Sequence, residues 1–290
     1  MKKIIFAGFT AFAMLGAALP ASAANWVMDF DNDNNGELAS NQIFSDKNGG
    51  SQFQRYDGAN GIPGSTAGVT ISATNTSGYK RYAVGYDSTA GVNTADRDLE
   101  ENFNNVITNS PNAAATMPDG SPIPTSGYRN ILIVQERNSS AGNGQHCGSI
   151  SGGVCGTPDD EGSGGILRFD FTESVDLVGM NVFDTDENTG CYGYLGKVWF
   201  QHGANEPWES LDLPVTENNN VAFMEFGDMG EGVTTMKVKF YKSGGIDNIT
   251  GDTGGDPGGD PVPEPGAMAL FGIGIAGVVL ARRRRRTTAA

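Results

Sequence analysis

Thr234-Thr235-Met236-Lys237-Val238-Lys239-Phe240-Tyr241 is the stretch on which the fold turns. Along an extended chain Met236, Val238 and Phe240 point one way, and Thr235, Lys237 and Lys239 the other. That period of two marks a half-exposed antiparallel strand. Working outward, Val221 to Phe226 and Ile246 to Ile249 read as strands on either side. Arg129 to Gln135, with Ile-Leu-Ile-Val at its centre, reads as a fully buried strand. Ile166, Leu167, Phe169 and Phe171 belong to another, followed by separate strands at Val175 to Phe183 and Leu195 to Gln201. Trp26 to Phe30, Val69 to Ala73 and Lys80 to Tyr86 complete the set. Gly, Asn and Asp turns separate these runs, and helical periodicity is scarce. The expected body is therefore all-β, an antiparallel β-sandwich of jelly-roll type. Asp98 to Thr108 has Leu99, Phe103, Val106 and Ile107 spaced for one helical face, and reads equally as a loop with buried anchors. Asn109 to Ser126, rich in Pro, Ala, Ser and Gly, reads as a long loop.

Both ends carry handling signals rather than fold. Lys2 and Lys3 precede an apolar run from Ile4 to Leu19, and Ala21-Ser22-Ala23 supplies a cleavage site, so residues 1–24 read as a secretory signal peptide. The β body is expected over 25–250, and the Gly/Asp/Pro run 251–261 reads as a linker. Setting aside Lys2, Lys3 and Arg282 to Arg286 leaves 12 basic residues against all 34 acidic ones, a net of −22 over 25–265. Such a body repels phosphate backbones, which argues against nucleic acid as a partner. Acidity attracts cations and keeps an exported domain soluble.

At the other end, Val262-Pro263-Glu264-Pro265 precedes sixteen uncharged residues, Gly266 to Ala281, and then Arg282, Arg283, Arg284, Arg285 and Arg286. Sixteen residues span roughly 24 Å as a helix, short of the ~30 Å hydrocarbon core, so a span needs local thinning or snorkelling arginines. The arginines favour the cytoplasmic side. This order of motif, short transmembrane helix and Arg cluster over 262–286 closely resembles the PEP-CTERM sorting signal of Gram-negative bacteria. The resemblance implies recognition near Pro-Glu-Pro by an exosortase, a membrane Cys protease-transpeptidase, after transient insertion into the inner membrane. It also implies association with exopolysaccharide and biofilm, at the cell surface or in the extracellular matrix. The body is similar to a domain found ahead of such tails. The matching residues are Asp96, Asp98, Leu99, Asn130 to Glu136, Pro158 to Glu161, Gly164, Gly165, Phe169 to Phe171, Phe183, Asp184, Asp186, Glu187 and Gly245 to Ile249. That likeness carries over no catalytic residue.

Candidate chemistry is concentrated in oxygen ligands. Asp31, Asp33, Asn35 and Glu37, with Gly36 at the sixth position of the loop, follow the alternation of the first half of a calcium loop. The twelfth position is Gln42 rather than the bidentate Glu, and the bland alternative is an Asx-rich turn. Asp184, Asp186 and Asn188 form a second acidic cluster. Asp29 in the first strand and Asp247 near the last could share a calcium ion, by analogy with jelly-roll carbohydrate-binding modules. Cys147 and Cys155 flank a Gly/Ser loop and could close it as a disulfide in an oxidising compartment. Trp208, after Pro207, is the candidate sugar contact. With no G-x-S-x-G, HExxH or P-loop, the expectation is a non-enzymatic exported protein, with a carbohydrate-binding module as the alternative and a polysaccharide-active enzyme behind it.

Overall fold

The computed structural model describes residues 25–33, 36–45, 68–92, 98–100, 102–136, 147, 149–160, 162–185, 196–216 and 218–252. The first strands are β1 (Asn25–Met28), β2 (Asn32–Asp33), β3 (Gly36–Glu37) and β4 (Ile43–Ser45). Next come β5 (Val69–Asn75), β6 (Lys80–Arg81), β7 (Ala83–Asp87) and β8 (Asn130–Val134). After them stand β9 (Ile150–Ser151), β10 (Val154–Cys155), the long β11 (Gly165–Phe183) and β12 (Lys197–Gln201). The last are β13 (Glu209–Asp212), β14 (Val221–Glu225), β15 (Val233–Lys239) and β16 (Gly245–Asp252). Among the described residues the one helical element named is a 3-10 turn at Gly227–Gly230.

Strand β11 belongs to two sheet portions. Its first half pairs with β5 on one side and β15 on the other, and β15 continues to β12 and β13. Its second half lies between β14 and β16. From β16 the order runs through β8 and β7 to β4, with β1 also on β16. All these pairings are antiparallel. The ladder register shifts between Asp170 and Val175, around exposed Thr172, Glu173 and Ser174. Those three polar residues suggest a break between two strands, yet the backbone stays extended through them, because each half has its own pair of neighbours.

The alternation in β15 does what its pattern requires. Met236 and Val238 are buried while Lys237 and Lys239 stay partly exposed. With Leu167, Phe169, Val198 and Phe200 they form one apolar face. That face shares a core with Leu132, Val134, Met180, Val182, Ile246 and Ile249 of the second portion. Two antiparallel sheet portions thus pack through one interior.

The second portion is covered on its other face as well. Ile131, Ile133, Tyr86, Phe183 and Phe223 meet Leu99, Phe103, Ile123 and Tyr128 of the 98–128 segment. Among the described residues of Asp98 to Thr108 there is no helix. The segment is a loop held by Leu99 and Phe103, of which Phe103 packs 4.8 Å from Phe183 and 5.8 Å from Tyr128 between ring centroids. Burying two such side chains contributes about 1.5–3 kcal/mol each, enough to hold an irregular segment on a sheet. Five fully apolar or amide residues in a row, Asn130 to Val134, are buried because both faces of β8 are covered. The last strand extends to Asp252, two residues past the expected end of the body at 250.

Candidate functional site

The edge of β16 changes partner along its length. Residues Ile249 to Asp252 face β1, whereas Gly245 and Ile246 face β8. Asp247 and Asn248 lie at the seam between these ladders, and Asn248 takes a left-handed conformation (φ 48°). The chain leaving β1 turns away at the same place. Phe30 also adopts a positive φ of 53° and packs edge-on against Phe44, ring centroids 5.4 Å apart. For a residue with a Cβ that geometry is strained, and full burial of the Phe30 ring offsets it.

Polar side chains close the seam. Asp29 Oδ1 accepts the Asp31 N–H at 3.1 Å, and Asp31 Oδ1 accepts the Asn130 N–H at 2.7 Å. Asn130 Nδ2 donates to the Phe30 carbonyl at 3.2 Å. Asp247 is 1% exposed and its Oδ1 accepts the Asn248 N–H at 2.7 Å. Asn181, directly opposite Asp247 on β11, donates through Nδ2 to the Tyr128 hydroxyl at 2.8 Å. That hydroxyl in turn donates to the Pro124 carbonyl at 2.8 Å. The Oδ1 atoms of Asn130 and Asn181 are buried without a hydrogen-bond partner, a costly arrangement for an amide oxygen.

The carboxylates feel one another. Burial above all, opposed by the Asn130 N–H and reinforced by Asp29, pushes Asp31 up to about 6; Arg129 pulls it down and Asp87 adds a further rise. Asp247 is held well above the usual carboxylate range by burial, then by Asp31 and Asp29. Tyr128 is raised by burial and by Asp247. Asp29 and Asp247 are therefore brought into one electrostatic neighbourhood, with Asp31 as the third member. Asn130, Asn181 and Asp87 are not among the ligands expected from the sequence, although Asn130 opens one of the stretches shared with the similar domain. The available signal was a polar residue in an otherwise apolar run, Asn130 before Ile-Leu-Ile-Val and Asn181 within Gly-Met-Asn-Val-Phe.

The other candidates are dispersed. Glu37 forms an ion pair with Arg129. The Asp33 side chain, Asn35, Asp186 and Asn188 lie outside the described residues, while Asp184 is buried with φ 49°. Cys147 and Cys155 are joined by a disulfide, Cα atoms 5.0 Å apart. Trp208 is half-buried, with Lys237 Nζ 3.8 Å from its ring centroid. Among the described residues no three His, Cys, Asp or Glu side chains are spaced to hold a metal ion. The seam offers carboxylate and amide oxygens, which suit a hard cation or a shared proton.

Pro263, Glu264, Pro265 and Arg282 to Arg286 lie outside the described residues, so their reading rests on comparison of sequences. Residues 261–286 match the family model of the PEP-CTERM protein-sorting motif. The chain carries a PEP-CTERM sorting signal. The PEP-CTERM match makes this an exported protein, handled through the cell envelope and processed by an exosortase. The matched segment begins one residue before the predicted 262 and ends at the same arginine. Among the described residues no helix is long and apolar enough to cross a membrane, and the predicted short span, 266–281, falls beyond them. No curated relative and no solved structure matches the chain.

Proposed function

We propose that the protein is a non-enzymatic component of the cell surface or extracellular matrix, its β body delivered by the PEP-CTERM signal and associated with exopolysaccharide or biofilm. The observation that carries this reading is the motif match at 261–286, and the secretory signal expected over 1–24 is in keeping with it. In it the C-terminal helix is a transient inner-membrane address, released near Pro263-Glu264-Pro265, and the body follows a jelly-roll plan. Intact mass of the secreted protein tests delivery. The expected product starts near Asn25 and lacks the Arg282 to Arg286 cluster. A mature protein that keeps all five arginines would count against it, as would release unaffected by replacing Pro263, Glu264 and Pro265 with Ala.

Calcium is the proposed cofactor of the seam. Asp29 and Asp247, with the buried Asn130 Oδ1, would hold it, and its charge would relieve the repulsion these carboxylates exert on Asp31 and on each other. Given the spacing of the carboxylates, amide and backbone oxygens must complete the set. The expected outcome is a melting midpoint lowered by EDTA, restored by millimolar CaCl2 and insensitive to both in Asp247→Asn. An unchanged wild-type midpoint removes calcium from the reading.

A second reading, carbohydrate binding, is favoured by Trp199 and Trp208 near one sheet face. Retention on polysaccharide, lost in Trp208→Ala, is its test.

A further inference from the structure

The outer face of the sheet built on β12, β15 and the first half of β11 is basic in an acidic protein. Across it Arg168, Lys237 and Trp199 stand in one row, and Ile166, Lys239 and Lys197 in the next. The alternating residues Leu167, Val238 and Val198 are buried in the core, so these two rows occupy the solvent side. Four of the twelve basic residues of the 25–265 body thus share one patch.

Its cations are not equally matched by acids. Arg168 binds Asp170 with both forks, at 2.7 to 2.9 Å, and Lys197 pairs with Asp212. Lys237 and Lys239 instead lie on aromatic rings. The Nζ of Lys237 is 3.8 Å from the centroid of Trp208, and that of Lys239 is 4.2 Å from the centroid of Tyr241. Partial burial, and then the Arg168 guanidinium, lower the proton affinity of Lys237, with Asp170 opposing. Two ammonium groups held by π faces, beside a third cation, are short of anions among the described residues of a chain where acids outnumber bases. Neighbouring strands are about 4.8 Å apart and alternate residues on one strand roughly 7 Å apart, so the cations form a grid of discrete points on an open sheet.

We propose that this face binds an acidic polysaccharide, whose carboxylates meet Lys237 and Lys239 while its sugar rings lie along Trp199 and Trp208. The inference rests on the carbohydrate-binding reading above and narrows it to an anionic chain. Charge complementarity selects the anion, and the aromatic rings between the cations select an extended partner with ring faces to present. Duplex DNA, with one charge per about 1.7 Å, meets the repulsion of the whole body, whereas a sugar-acid chain carries sparser charges that discrete lysines can match.

Affinity electrophoresis of the mature secreted protein tests this in gels containing alginate, dextran or duplex DNA. The expected result is retardation by alginate, weakened by about 0.5 M NaCl and reduced about tenfold in Lys237→Gln/Lys239→Gln. Trp208→Ala, which leaves Lys239 on Tyr241, is expected to weaken it too, and thermal melts establish that each variant is folded. Equal retardation of wild type and a folded double variant overturns the proposal, and so does DNA acting as strongly as alginate. Retardation by dextran but not alginate overturns it while leaving carbohydrate binding in place. If neither polysaccharide retards the protein, both fall.

Discussion

At the scale of single residues, Asp31 joins two opposing demands. Its Oδ1 anchors the Asn130 N–H, which favours the ionised form, while burial and the neighbouring Asp29 and Asp87 favour the neutral one. The balance raises its folded pKa to about 6, from an ordinary 3.8. A carboxyl that holds its proton more tightly in the folded chain favours folding most below about pH 4. That contribution is lost as pH rises through about 6. Asp247, pressed by burial, Asp31 and Asp29, acts in the same direction. With chelator present, Asp31→Asn is therefore expected to gain in melting midpoint relative to wild type as pH is raised from 4 to 7. A constant difference across that range would mean that Asp31 ionises in the folded protein as it does in the unfolded chain.

At the scale of elements, the disulfide and the long loop show how irregular segments are fixed. Cys147 and Cys155 enclose a short loop in which β9 and β10 form a two-stranded ribbon. Both cysteines are buried beside the sheet residues of the second cluster. Closing so short a loop contributes about 2–3 kcal/mol through the unfolded chain. Cys147→Ser/Cys155→Ser is expected to lose that amount in urea denaturation, and reductant to produce the same loss in wild type. Strands with clean alternation, such as β15, or an unbroken apolar run, such as β8, were legible from sequence because burial alone dictates their pattern. The unity of β11 was not, since Thr172, Glu173 and Ser174 look like a turn and only two sets of neighbours keep them extended. β13 was missed because Glu-Ser-Leu-Asp sits on a sheet edge, where no alternation is enforced. At the candidate site, Asp29 and Asp247 were visible as chain-distant carboxylates. Asn130 and Asn181 were not, because an amide in an apolar strand gives no sign of which oxygen its neighbours leave unpaired.

At the scale of the whole molecule, β16 is the strand on which both ends of the fold depend. It pairs with β1, β8 and the second half of β11, so it ties the first strand to the middle of the chain. A body ending at Asp252 is expected to fold and melt like the mature protein. One ending at Gly244 is expected to show no cooperative transition by circular dichroism and to be degraded by trypsin under native conditions. Recovery of a cooperative melt without β16 would show that the two sheet portions stand without it.

The register of β1 on β16 puts Asn25 directly opposite Asp252. The body's first described residue and its last thus share one corner. A body tethered through Asp252 would be held at the corner where its own first strand begins, like a flag on a pole. Tension on such a tether would load the end of β16 first, where Asp252 is paired with Asn25 on one side and with Asp176 on the other.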